Sequence, residues 1–240
     1  MRINTHKTKV IIFNKCGYFI KEDFKIGGDN IECVNKCKYL AIIMSSGGSF
    51  KETKNMLYNK VLKASFKLYK EVKSLDPLVN TLLHMFDHMV KQIALYSCEI
   101  WGILTVGKQG KNKDLYDLYK DFEAENLNIK FCKFLLGLNK KSTNIAVLSE
   151  LGRLPMFCLI IIVVFSFWHR LEKMPETSLL YCAYKESVNL CNINVNSWYK
   201  TVVFLSETIG TTCNISLSRY KNLSLSVFKQ YLKKFIRNHF

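Results

Sequence analysis

Few residues in this 240-residue chain have the type and spacing to do chemistry, and those few point to binding more than to catalysis. His84 and His88 stand four apart, a spacing that puts two imidazoles on one helical face and can hold a metal ion. Asp87 is the nearby carboxylate, but the pattern HxxDH lacks the further ligands a zinc site needs, so the pair reads as surface or packed histidines. The nine cysteines, at 16, 33, 37, 98, 132, 158, 182, 191 and 213, include no CxxC. Cys33 and Cys37 have no second pair or histidine beside them, and the set reads as reduced, mostly buried thiols of an intracellular protein. No GxxxxGK[ST], GxGxxG, GxSxG or HExxH occurs. No two aspartates are adjacent, whereas a two-metal phosphoryl-transfer centre needs clustered carboxylates. Neither metal nor cofactor is expected.

What the chain does supply is lysine at helical spacing. Over residues 50–74, Leu57, Val61, Ala64, Leu68 and Val72, with Leu75 beyond, fall within an arc of about 80°. Lys60, Lys63, Lys67 and Lys70 fall on a second arc of similar width beside it. Cations at i, i+3, i+7 and i+10 can follow a phosphate backbone, although an ordinary solvated helix face has the same pattern.

The elements that must position this row change character near residue 50. Before it, short β-rich runs alternate with turns: Val10 to Phe13, Phe24 to Ile26, Ile31 to Val34 and Tyr39 to Met44. Gly27-Gly28-Asp29-Asn30 between two of these runs predicts a hairpin turn. After residue 50 the period predicts helices over 50–74, 77–96, 113–137, 143–151, 155–173, 177–191, 196–209 and 222–238. The fold class expected is α+β, mainly α, with a short N-terminal β-hairpin element leading into a helical body.

Composition narrows the partner. With 35 Lys+Arg against 19 Asp+Glu the formal charge is +16, which favours polyanions, nucleic acid ahead of membrane surfaces. A chain 49% apolar with 3 Pro and 11 Gly is neither disordered nor collagenous. The start, MRINTHKTKV, has no apolar core of a signal peptide, so an intracellular site, nucleus or cytoplasm, is expected. Leu154 to Trp168 carries no charge for 15 residues, short of the roughly 20 that a bilayer span needs, and reads first as a buried central helix.

A series of short motifs adds a family resemblance. In order come Asn4-x-x-Lys7-Thr8-Lys9-Val10-x-x-Phe13, IGGDNIECVNKCKYLAI (26–42), SSGGSF (45–50) and MFDHMV (85–90). YSCEIWG (96–102), FCKFLLGL (131–138) and SELGRLP (149–155) follow, leading to Phe167-Trp168-His169-Arg170-Leu171. The series resembles the reverse transcriptase of non-LTR (LINE-type, jockey-like) retrotransposons, in the part downstream of the catalytic aspartates. The resemblance covers most of residues 4–172 and continues weakly beyond. It implies that Lys7 and Lys9 match the segment flanking the incoming nucleotide, and that Tyr39, Leu40 and Ala41 match the YLG hairpin that grips the primer end. It places Lys60, Lys63, Lys67 and Lys70 on the first thumb helix, against a template–primer duplex. Trp101, Gly102 and Glu150 to Arg153 are expected to be structural. Ala41 departs from the family's glycine.

On this reading residues 1–49 are a palm-exit hairpin segment, 50–175 a thumb-like helical domain and 176–240 a C-terminal helical extension. The family's aspartate pair would precede residue 1, and Mg belongs only to the intact family enzyme. The function expected is therefore that of a truncated, catalytically inactive reverse-transcriptase fragment with weak, sequence-independent binding of RNA or DNA template–primer, and no small-molecule substrate. Two alternatives stand beside it: a basic helical interaction or nucleic-acid-binding protein without enzyme activity, and a membrane-attached protein using residues 154–168.

Overall fold

Turn chemistry organises the first part of the chain. A computed structural model describes residues 4–5, 7–14, 18–75, 78–102, 123–213 and positions 226, 227, 229, 230, 233 and 234. The chain divides into two compact units, Met1–Lys63 and Ala64–Phe240. The architecture is α+β and mainly α, with N-terminal strands followed by helices.

In the first unit, β1 (Lys9–Val10) lies parallel to β3 (Asp29–Cys33), and β2 (Phe24–Ile26) lies antiparallel to β3. Gly27 and Gly28, at φ +60° and +93°, form the two-residue turn between β2 and β3, as the GGDN signal predicts. β4 (Lys36–Tyr39) and β5 (Ile42–Ser45) form a second hairpin, registered Tyr39 to Ile42. The apolar run Tyr39 to Met44 is thus not one strand. It is broken by Leu40 and Ala41, both in the left-handed region at φ 45° and 63°, the arrangement of a type I′ turn.

Helix α1 (Lys51–Leu75) leaves this unit. Thr53 in its first turn is fully buried. Its hydroxyl donates to the Ile43 carbonyl (2.9 Å) and accepts from the Ile43 amide (2.8 Å), filling one pairing position on β5. Such pairing protects backbone groups that an open strand edge leaves exposed. Lys36 pairs with Glu52 in the same corner.

The second unit is helical. α2 (Val79–Phe86) continues through a widened π-helical turn, Asp87–Lys91, into α3 (Gln92–Ala94). Leu82, Phe86, Val90 and Ala94 are buried, one every four residues. An α-helix drifts about 40° at each such step, and the wide turn offsets part of that drift. Ser97, at φ 53°, breaks the chain before α4 (Cys98–Trp101). α5 (Glu123–Leu135), α6 (Asn144–Glu150), α7 (Met156–Glu172), α8 (Leu179–Asn192) and α9 (Trp198–Cys213) follow. The first part of the expected helix 113–137, and most of that at 222–238, lie outside the described residues.

α7 is the core of this unit. Phe157, Ile160, Ile161, Val164, Phe165 and Trp168 are all buried, each burial worth about 1.5–3 kcal/mol. The uncharged stretch Leu154–Trp168 is thus mostly a packed helix. Among the described residues no helix is long and apolar enough to cross a membrane. Phe86 of α2 stacks on Phe131 of α5 with centroids 4.3 Å apart, and Tyr69 of α1 meets Phe131 edge-on at 5.8 Å. Trp168 donates its indole N–H to the Tyr184 hydroxyl (3.3 Å), and Tyr184 in turn donates to Glu172. The seven cysteines whose side chains are described are all free thiols, but fewer are buried than composition suggests. Cys98, Cys132 and Cys158 are inside, Cys33, Cys37 and Cys191 are half-buried, and Cys182 is exposed. Burial pushes the thiols of Cys98 and Cys132 up to about 12 and about 11.

Candidate nucleic-acid interface

α1 presents the lysine row because its inward side is fixed. Thr53, Leu57, Val61, Ser65 and Leu68 are buried and define the inward face. Lys60, Lys63, Lys67 and Lys70 are all exposed, and none forms an ion pair with a described residue. At 1.5 Å per residue the row is about 15 Å long, with steps of roughly 4.5–6 Å. Exposed ammonium groups at that spacing suit a polyanion, whose condensed counterions they can replace. Lys54 differs: it is half-buried, and that burial pulls its ammonium below the ordinary lysine value.

The other expected contact residues lie in the strand region. Lys7 is exposed, on a turn closed by its amide N–H donating to the Asn4 carbonyl (3.1 Å). Lys9 on β1 is opposite Glu32 on β3 and pairs with it at 2.9 Å, so its charge is already matched. That pair is exposed and adds little stability. Tyr39 and Leu40 occupy the tip of the β4–β5 hairpin, 60% and 70% exposed. The structure thus shows two exposed features, a basic helix face and an apolar hairpin tip.

The remaining motifs are structural. Trp101 is buried and donates its indole N–H to the Tyr96 carbonyl (2.8 Å). Gly102 fits where a Cβ would come within 2.6 Å of Ile160 Cγ2. In the ELGR stretch, the amide of Gly152 donates to the Ser149 carbonyl (3.0 Å) and that of Arg153 to the Leu148 carbonyl (2.8 Å). These two bonds, with Gly152 at φ +60°, are a Schellman cap ending α6. The Arg153 side chain donates to Asp87 at 2.6 Å and sits over the Phe86 ring, 5.4 Å from its centroid. Burial would raise the Asp87 carboxyl, but hydrogen bonds and charge from Lys91 and Arg153 hold it below the ordinary value.

One buried group escaped sequence reasoning. Glu125 on α5 is 7% exposed and accepts from the Asn128 amide (3.1 Å) and from the backbone N–H groups of Met156 and Phe157. It therefore caps the N-terminus of α7, satisfying amides that the helix cannot. Burial raises its carboxyl above the ordinary value, against the pull of those hydrogen bonds. Its sequence signal is faint, since Glu123 and Glu125 both open α5 as ordinary first-turn acids. Beside it lies a cavity of about 270 Å³ lined largely by Ile129, Ile145, Leu148, Leu154 and Pro155.

His84 and His88 are exposed, and among the described residues no group of three or more His, Cys, Asp or Glu side chains could hold a metal ion. No protein-family model matches this chain, and neither a curated protein nor a solved structure is found to match it.

Proposed function

We propose that this chain is a nucleic-acid-binding piece of a reverse-transcriptase-like polymerase of the non-LTR retrotransposon type, holding RNA or DNA without sequence preference through α1. No catalytic step is assigned to it. The observation that carries the reading is the row Lys60, Lys63, Lys67 and Lys70: four exposed cations without ion-pair partners among the described residues, on a helix whose rotation is set by buried Thr53, Leu57, Val61 and Leu68. The ordered motif series supports the polymerase origin, as does a tight hairpin turn at the Leu40-Ala41 position of the YLG segment. The strong positive balance of the first 75 residues, 15 basic against 6 acidic, supports a polyanion partner for this part of the chain.

Titration of labelled duplex and single-stranded oligonucleotides at 50 and 200 mM salt tests the proposal. Four phosphate contacts give a salt slope of about −3 to −4, so affinity is expected to fall on the order of 50- to 150-fold between the two conditions. Replacing all four lysines with alanine is expected to abolish most of that dependence. A flat salt response, or binding that survives the fourfold replacement unchanged, would refute the assignment of the interface to α1.

A further inference from the structure

The lysine row is not alone on the outer face of α1. Phe66 is 64% exposed, while Leu57, Val61 and Leu68 of the same helix are buried. It lies roughly opposite the buried face, about 40° from Lys70 and 60° from Lys63 around the helix axis. Those lysines stand four residues after it and three before it, the positions nearest to it on a helix surface. Phe66 makes no ring contact with another described residue, whereas Tyr69, on the same helix, is held edge-on by Phe131 and Phe134.

A phenyl group this exposed, between two cations, makes no ring contact among the described residues that would explain its place. A partner protein reading an amphipathic helix would ask for further apolar anchors at three- and four-residue spacing on that face. Lys63 and Lys70 occupy two of these positions, Leu62 is half-buried, and Tyr69 is engaged inward. The chemistry that satisfies an exposed ring and flanking ammonium groups together is an aromatic base with a phosphate on each side. In a closed duplex the base faces are covered by their neighbours, so an outside ring can stack only on an unpaired base.

We infer that Phe66 is a stacking platform for an unpaired base, and that this face of α1 takes single-stranded nucleic acid in preference to duplex. The inference rests on the nucleic-acid reading above and deepens it by naming the form of the ligand. Lys63 and Lys70, about 10 Å apart along the axis, provide one cation on each side of the stacked base. Lys60 and Lys67 extend the positive track beside it.

The test uses the full chain and fluorescence anisotropy with labelled oligo-dT, oligo-rU and a mixed-sequence duplex of equal length. The native protein is expected to bind the single strands more tightly than the duplex. Phe66→Ala is expected to weaken single-strand binding on the order of 5- to 100-fold, leaving duplex binding and the salt slope unchanged. Phe66→Trp is expected to restore it, which separates stacking from a loss of folding. A preference between oligo-dT and oligo-rU supports the platform and identifies which strand it takes, and equal affinity supports a platform blind to the sugar. If lysine-dependent binding persists but Phe66→Ala has no effect, or lowers single-strand and duplex binding alike, the platform is overturned and the basic interface stands. If the native chain binds none of the three oligonucleotides, both readings fall.

Discussion

Replacing Ala41 with glycine is expected to stabilise the first unit. Ala41 sits at φ 63° in the second central position of the β4–β5 turn, where its Cβ crowds the following carbonyl. An L-residue in the left-handed region costs roughly 1–2 kcal/mol. Glycine removes that term but loses about 0.4–1 kcal/mol through the greater freedom of the unfolded chain. The balance is a gain of about 0.5–1 kcal/mol. With a urea slope of about 2 kcal/mol/M, the midpoint of a far-UV circular dichroism melt should rise by about 0.4 M. Trp101, Trp168 and Trp198 are the three tryptophans and all lie in the second unit, so tryptophan fluorescence reports on that unit alone. Where the two units melt separately, its midpoint stays in place while the dichroism midpoint of the first unit moves. Ala41→Val, a β-branched residue at positive φ, is expected to shift that midpoint the other way. A glycine variant that is unchanged or less stable would show that Ala41 is not left-handed and would remove the type I′ turn from the hairpin.

Two further perturbations probe the second unit. Gly102→Ala would place a Cβ 2.6 Å from Ile160 Cγ2 and 2.5 Å from the Cys98 carbonyl oxygen, so a loss of about 1–3 kcal/mol is expected in a tryptophan-detected urea melt. Glu125 controls a pH dependence of definite sign. Its folded carboxyl is raised by burial, so folding takes up a proton there; the associated stability is complete below the ordinary carboxylate range and is lost as pH rises through the raised value. Asp87, held low by Lys91 and Arg153, contributes the opposite: stability present above the ordinary range and lost as pH falls through its depressed value. Urea midpoints measured from pH 2 to 8 are expected to lose the alkaline-side decline in Glu125→Gln while keeping the acid-side decline. An unaltered profile would remove Glu125 from the titration.

The sequence made the elements legible where pattern and local chemistry agree. The change of period near residue 50, the GGDN hairpin and the buried helix after Pro155 all read correctly because each depends on nearest neighbours or on one strong periodicity. The Tyr39 to Met44 run misled because its turn uses Leu40 and Ala41, with neither Asn nor Gly to announce positive φ; only the resemblance to YLG suggested a hairpin there. Val10 to Phe13 reads as a strand, yet the pairing with β3 covers Lys9 and Val10 alone. Of the candidate site, the lysine row was legible because helical spacing exposes it directly. Glu125 was not, since its partners Met156 and Phe157 lie about thirty residues away and only tertiary packing brings them together. Phe66 was hidden by its type, because phenylalanine within an amphipathic helix reads as core until its angle is compared with that of Leu57 and Leu68.

The wide turn at Asp87–Lys91 has a consequence for how this chain tolerates changes in length. An α-helix buries one stripe with steps that alternate between three and four residues, whereas Leu82, Phe86, Val90 and Ala94 advance by four every time. That stretch is one residue longer than the contacts it makes require, with the surplus held in the loosened coil that also carries Asp87 toward Arg153. Losing a residue from a core helix ordinarily turns every later side chain by about 100°. Here, losing Met89 would close the loosened coil into a regular one and leave Phe86, Val90 and Ala94 on one side. The helix therefore carries slack in its own numbering, at the place where its half-buried charges meet.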